Sequence, residues 1–299
     1  MTDSNSPYVS ALCVVYNQAP YLRQCLDGLV NQETSFPYEI LVHDDASTDD
    51  SADIIREYVA NHPDKVHAIL QTENQFSKKK DIWATFLIPQ AKGKYITFCE
   101  GDDYWCDTQK LQRQVDFMET HPDVSICYHQ FREYDQRKQS FETYDNPEPQ
   151  DGLSVKELLW GGYLHTSTLM CRLNKQAEEI RRNMGWVMCM DICTLYLYLD
   201  QGKIAGIPGY MSVFRKNVGI WTTNKWYRNM MENIIMLSEL RSVIKNEDLQ
   251  KSIDEWNSEL KNIIINVMNE WEGNRNSKAY KIGKIILKPF NRIRNLFAK

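Results

Sequence analysis

The chain has 299 residues, enough for one large domain or one domain with an appended subdomain. Its 42% hydrophobic and 25% charged content is ordinary for a soluble globular protein. The net charge of −5 is unevenly spread, because Lys278 to Lys299 holds seven Lys or Arg and no Asp or Glu. The remaining body is therefore acidic, which argues against general nucleic-acid binding. Eight cysteines are scattered with no zinc-knuckle or redox spacing, and several lie in apolar runs where Cys packs as a small hydrophobe. The polar start Met1-Thr2-Asp3-Ser4-Asn5-Ser6 does not read as a signal peptide, and no apolar segment approaches bilayer-spanning length. A reduced, cytoplasmic protein is expected.

Val9 to Tyr16 is a near-continuous apolar run, as expected of a strand buried on both faces of a parallel sheet. Asn17-Gln18-Ala19 is a turn, Pro20 suits a first helical turn, and Leu22, Leu26, Leu29 and Val30 follow at helical spacing. Tyr38 to His43 is a second strand, closed by Asp44-Asp45-Ala46-Ser47-Thr48-Asp49-Asp50. Ser47 or Thr48 is expected to cap the next helix, which carries Ile54, Ile55, Tyr58 and Val59. His67 to Gln71 reads as a weaker strand, and Asp81 to Ala91 as a helix that Pro89 breaks or kinks. Tyr95 to Cys99 is a short buried strand between Gly93 and Gly101. Asp107 or Thr108 is expected to cap a helix with Leu111, Val115 and Met118 on one face, and Val124 to His129 reads as a strand. Phe131 to Gly152 lacks periodicity and reads as a loop or short hairpin, and beyond Thr222 the pattern is helical.

Strands alternating with helices imply an α/β chain with a mostly parallel central sheet. Loops that follow parallel strands emerge at one edge of such a sheet, where open α/β folds bind ligands. The segments after Tyr16, His43 and Cys99 should therefore converge. The last is Glu100-Gly101-Asp102-Asp103, three carboxylates in four positions. Like charges so placed repel unless a cation sits among them; Mg²⁺ typically takes one or two protein carboxylates and leaves its other positions to substrate phosphates. A polar turn that caps the next helix is the plainer alternative.

Four stretches together carry a family resemblance: Cys13-Val14-Val15-Tyr16-Asn17, Val42-His43-Asp44-Asp45-Ala46-Ser47-Thr48-Asp49, Gly93-Lys94-Tyr95-Ile96, and Glu100-Gly101-Asp102-Asp103. They resemble the family 2 inverting glycosyltransferases with a Rossmann-like GT-A fold. Met190-Asp191 and Val213-Phe214-Arg215-Lys216-Asn217-Val218-Gly219 stand at that family's later motifs, so the likeness covers Ser10 to Thr222. It implies a glycosyltransferase domain over 1–222, with a nucleotide-binding half 1–106 and an acceptor-side half 107–222. It also implies Tyr16 against the nucleobase, Asp45 as its hydrogen-bond acceptor, Glu100 and Asp102 as the D-x-D pair, and Asp102 as metal ligand. Asp103 supports them, Arg215 pairs with phosphate oxygens, and Asp191 is the general base. Mn²⁺ or Mg²⁺ is the implied cofactor. Glu100 stands where the first Asp is usual. Asn217 stands where the family often has a metal-holding His, and its amide oxygen is a weaker ligand for softer ions.

The implied partners are a nucleotide-sugar, most readily a UDP-sugar, and a glycan or lipid-linked sugar acceptor in surface polysaccharide synthesis. Asp191 has a plain alternative as a helix cap, His165 reads better as a structural histidine than as an acceptor or phosphate contact, and Tyr16 can be a strand-end core aromatic. The Asp44 to Asp50 run lacks the glycine and closing Glu of an EF-hand. No glycine-rich basic loop follows the first strand, against a nucleotidyltransferase. A catalytically weakened scaffold homologue is the rival from another class, motivated by Glu100 and Asn217. Residues 223–277 read as a helical extension, where Ile253, Trp256, Leu260, Ile263, Val267 and Trp271 form one face that packs on the catalytic domain or supports a homo-oligomer. The tail 278–299 mixes basic and apolar residues and reads as a peripheral membrane contact.

Overall fold

The computed structural model describes residues 6–142, 146–184, 190–218 and 226–273. The first half alternates strands and helices: β1 (Val9–Val15), α1 (Ala19–Val30), β2 (Tyr38–Asp44), α2 (Ser51–Asn61), β3 (Val66–Leu70) and β4 (Tyr95–Glu100). These strands lie parallel in the order β3-β2-β1-β4, as the alternation predicts. β1 and β2 are buried on nearly every residue, the polar Ser10, Glu39, His43 and Asp44 included. α1 buries Leu22, Cys25, Leu26, Leu29 and Val30, one stripe at helical spacing, and carries its proline in the first turn.

The second half follows with β5 (Tyr104–Trp105), α3 (Lys110–Thr120), β6 (Val124–Asp135), β7 (Ser140–Phe141), α4 (Val155–Trp160), β8 (Met170–Arg172), α5 (Lys175–Met184), α6 (Met190–Leu199) and β9 (Lys203–Lys216). The sheet continues β4-β8-β6-β9-β5, with β8 antiparallel to both β4 and β6, and β9 parallel to β6. Two helices close the described chain, α7 (Trp226–Val243) and α8 (Glu247–Gly273). The chain divides into compact units between Ile253 and Asp254. Along the face predicted for α8, Ile253, Trp256 and Leu260 are buried, whereas Ile263 is exposed. The basic tail 278–299 lies outside the described residues.

Several local expectations need correction. Neither Ser47 nor Thr48 caps α2, which starts after Asp50 without a side-chain cap. Nor does Asp107 or Thr108 cap α3 as its N-cap residue: that place falls to Gln109, whose own backbone N–H donates to Asp107 Oδ1 at 2.8 Å. Asp81 to Ala91 is no regular helix but a π-helical turn at Trp83–Leu87 followed by a 3₁₀ turn at Ile88–Gln90. Pro89 lies within that second turn, where its missing N–H interrupts no α-helical ladder. β6 extends six residues past the predicted His129, because a register shift at His129 to Phe131 lets the polar stretch go on pairing with β9.

One core residue sets a pH dependence. Lys110 has no exposed surface; its Nζ donates to Thr97 Oγ1 at 3.1 Å and Gln114 Oε1 at 2.7 Å and lies 4.1 Å from the Trp105 ring centroid. Burial pulls its pKa down to about 7, against the opposing pull of Cys99, Cys127 and Asp107. In the unfolded chain a lysine titrates near ~10.4, so between the two values the unfolded state binds more protons and stability rises with pH. From pH 7 to 8.5 this residue alone should add about 1.5 kcal/mol. Urea unfolding at the two pH values should show that slope in the wild type and its loss in Lys110→Met; equal slopes would refute it.

Candidate active site

The loops after β1 and β2 are stitched together by Ser47 and Thr48, the expected helix caps, with Asp49 and Ser51. Asn17 N donates to Ser47 Oγ at 2.9 Å, Gln18 N to Ser51 Oγ at 3.0 Å and Ala19 N to Asp49 Oδ2 at 3.0 Å. In return Asn17 Oδ1 accepts from Thr48 N at 2.7 Å. Asn17 and Ala46 both adopt positive φ, 53° and 61°, so each loop turns sharply where its strand ends. Gly101 N donates to Val14 O at 2.9 Å, which brings the third loop to the same edge. The predicted convergence is observed.

Tyr16 is 40% exposed at that edge and does not belong to the core. Asp45 is buried and already committed: its two carboxylate oxygens accept from Gln75 N at 2.7 Å and Phe76 N at 3.0 Å, while Asn74 Nδ2 donates to its carbonyl at 3.1 Å. Asp45 therefore organises the loop that follows β3, a task the sequence did not suggest.

At the end of β4 the acids are held with little compensation. Asp103 is 1% exposed; its Oδ1 accepts from Arg215 N at 2.8 Å, and its Oδ2 has no hydrogen-bond donor among the described residues. Burial raises the pKa of Glu100, reinforced by the charges of Asp102 and Asp191. Burial likewise raises Asp102, with Arg215 pulling the other way, and raises Asp103 strongly, with Asp102 and Glu100 adding to it. Carboxyls pushed up in this way lack positive charge. Sequence reasoning set aside His165, yet the structure brings it here: Nδ1 lies 3.5 Å from Asp103 Oδ2, and the ring stacks on Phe214 at 4.3 Å between centroids. Burial pulls its pKa down to about 4, so the imidazole is neutral at physiological pH, the form that ligates metals. The only signal in the sequence was a histidine opening a polar triplet inside an otherwise apolar segment.

Glu100, Asp103 and His165 each offer one ligand atom, and these atoms lie within 4.8 Å of one another. Two carboxylates and an imidazole, with one carboxylate oxygen buried and without a donor, fit a divalent cation. Asp102 stands outside this trio. Asn217, at a positive φ of 68°, spends its amide N–H on Asp135 Oδ1 at 3.1 Å.

Arg215 is buried, with its guanidinium 5.2 Å from the Tyr21 ring centroid and 5.0 Å from that of Tyr104, and it donates to Gln24. Asp191 sits in the first turn of α6, and its Oδ1 accepts from Ile192 N at 2.9 Å. It lies inside α6, where an acidic side chain in the first turn suits the helix dipole, and its charge adds to the rise of the Glu100 pKa. Burial raises its own pKa, while backbone N–H groups and the Arg181 charge hold it down.

The fold is that of a GT-A glycosyltransferase, and comparison with known proteins agrees. Residues 10–218 match the profile described as glycosyl transferase family 2. The chain belongs to that family. An uncharacterised protein of Mycobacterium tuberculosis is 34% identical over 216 residues, 71% of this chain and 60% of its own length. The match thus spans less than two thirds of that relative. An Escherichia coli UDP-Glc:alpha-D-GlcNAc-diphosphoundecaprenol beta-1,3-glucosyltransferase is 34% identical over 112 residues, 38% of this chain and 41% of that one. Among solved structures, residues 1–349 of S. aureus TarS in complex with UDP-GlcNAc superpose with a TM-score of 0.62 at 17% identity, covering 85% of this chain and 71% of that one. A Pyrobaculum calidifontis mannosyltransferase in complex with GDP-Man and Mn²⁺ gives 0.53 at 14% identity, covering 98% and 88%. These structures share the fold.

Proposed function

We propose that this glycosyltransferase is a metal-dependent, inverting enzyme that moves a hexosyl or N-acetylhexosaminyl group from a UDP-sugar to a glycan or lipid-linked acceptor in surface polysaccharide synthesis. The observation that carries the reading is the acid end of β4, where Glu100 and Asp103 with His165 bring three ligand atoms within 4.8 Å of one another at the loop edge of the sheet. Asp191 takes the proton of the acceptor hydroxyl as that oxygen attacks the anomeric carbon, a step worth typically ~10²–10⁴-fold. With one base and no enzyme nucleophile, single displacement inverts that carbon. Glu100, Asp103 and His165 would hold a Mn²⁺ or Mg²⁺ ion, with Asp102 as a further ligand, and the ion would supply charge neutralisation for the diphosphate leaving group. Tyr16 lies exposed where a nucleobase would rest on it, and Arg215 serves the phosphates.

The UDP and lipid-linked acceptor in the reading draw support from the names of the E. coli relative and the TarS complex. Contact with a lipid-linked acceptor is assigned to the tail 278–299, which mixes seven basic residues with apolar ones; among the described residues no helix is long and apolar enough to cross a membrane. Calorimetric titration with UDP, GDP and dTDP, with and without Mn²⁺, tests the core claim. UDP should bind at least about tenfold more tightly with Mn²⁺, and Asp102→Ala should abolish that gain. Binding of none of the three with metal present would end the transferase reading.

A further inference from the structure

A buried ion pair outside the acid cluster ties its two sides together. Arg181, on α5, is 1% exposed and meets Asp81 fork to fork, Nε to Oδ2 at 2.7 Å and Nη2 to Oδ1 at 2.9 Å. Its remaining nitrogen, Nη1, donates to Thr194 Oγ1 on α6 at 3.3 Å. Thr194 is three residues beyond Asp191, so the two share a face of that helix. A second tie fixes α5 to α6, from Tyr198 OH to Glu178 Oε1 at 2.8 Å.

On its other side, Asp81 fixes the π-helical turn. Its Oδ1 also accepts from Ala84 N at 3.1 Å, and its carbonyl accepts from Thr85 N at 2.9 Å. Trp83 of that turn packs edge-on against Phe98 at 5.3 Å, and Phe98 is two residues before Glu100 on β4. Contacts thus run without a gap from the strand that carries the acids to the helix that carries the base.

We propose that the Asp81–Arg181 pair is a positioning device that sets the placement of Asp191 relative to the acid end of β4. This rests on the glycosyltransferase reading above. Stability does not account for the pair: apolar residues of similar volume often serve a buried site as well, because desolvating two charges offsets their attraction. What the bidentate fork supplies is fixed geometry, and a displacement of about 1 Å at a reacting group costs on the order of 10²-fold in rate. The Arg181 charge also helps keep Asp191 ionised.

The test compares the wild type with Arg181→Lys, Arg181→Met and the double variant Asp81→Leu with Arg181→Met, which removes both partners of the fork together and leaves Glu178 its bond from Tyr198 OH. Each is measured for thermal midpoint, UDP affinity with Mn²⁺, and kcat and KM for hydrolysis of UDP-glucose and UDP-N-acetylglucosamine with water as acceptor. The double variant should fold and keep UDP affinity and KM within about threefold, while kcat falls about 10²-fold. Arg181→Lys, which keeps the charge and part of the fork, should recover some of that kcat, and Arg181→Met should not. A double variant with wild-type kcat overturns the inference, as does a kcat loss matched by an equal loss of UDP binding, which would mark the pair as merely structural. A wild type that binds no UDP overturns the function reading and this inference together, whereas an active wild type with an equally active double variant sinks this inference alone.

Discussion

Replacing Asp191 with Asn is expected to lower kcat by about 10²–10⁴-fold while UDP affinity and donor KM stay within about threefold. The amide keeps the shape and can still accept from Ile192 N at the start of α6, so the helix loses little. What disappears is the basic oxygen. Burial raises the carboxyl of Asp191, which makes it a better proton acceptor, while backbone N–H groups and the Arg181 charge pull the other way. Because the proton is taken in the transition state, the loss should fall on kcat and not on ground-state donor binding. Steady-state hydrolysis of a UDP-sugar beside calorimetry with UDP and Mn²⁺ separates the two. A variant with near-normal kcat would assign Asp191 to helix capping alone and move the search for a base elsewhere in the cluster.

The parallel half of the fold was legible because each of its signals is local. Val9 to Val15 and Tyr38 to Asp44 are buried along their whole length or nearly so, and a near-continuous apolar run marks the first while the apolar centre Ile40-Leu41-Val42 marks the second. The acids after Cys99 declared themselves by crowding. The antiparallel half was harder, since β8 is three residues long and gains its place only by pairing with β4 and β6. No periodicity marks so short a strand. β6 was cut short in sequence because its second half holds Arg132, Glu133 and Asp135, polar residues that lie in the sheet by pairing with β9. Asp81 and Arg181 stand 100 residues apart, and nothing in either neighbourhood announces the other. His165 was read as structural for a similar reason: its nearness to Asp103 exists only after β8 brings its loop beside β4.

The same crowding that marks the acids also makes them a liability without a cation, and Asp103 shows it most sharply. A carboxyl whose folded pKa lies above its unfolded value near ~3.9 stabilises the fold below that value, and this contribution is lost as pH rises through the folded one. Burial, Asp102 and Glu100 all push Asp103 in that direction. Its Oδ2 meets no donor and lies 3.5 Å from His165 Nδ1, which faces it as an acceptor while neutral. Asp103→Asn removes the charge, keeps the oxygen that accepts from Arg215 N and offers His165 an N–H where the bare oxygen was. At pH 8 in EDTA the variant should therefore exceed the wild type by about 1–3 kcal/mol, with the difference shrinking toward pH 4. With Mn²⁺ the order should close or reverse, because an ion that binds only the folded wild type stabilises it by mass action and the amide is a poor ligand. Urea unfolding of both proteins in EDTA and in Mn²⁺ checks both halves. A variant no more stable than the wild type in EDTA, with an undiminished response to Mn²⁺, would remove Asp103 from the cation site.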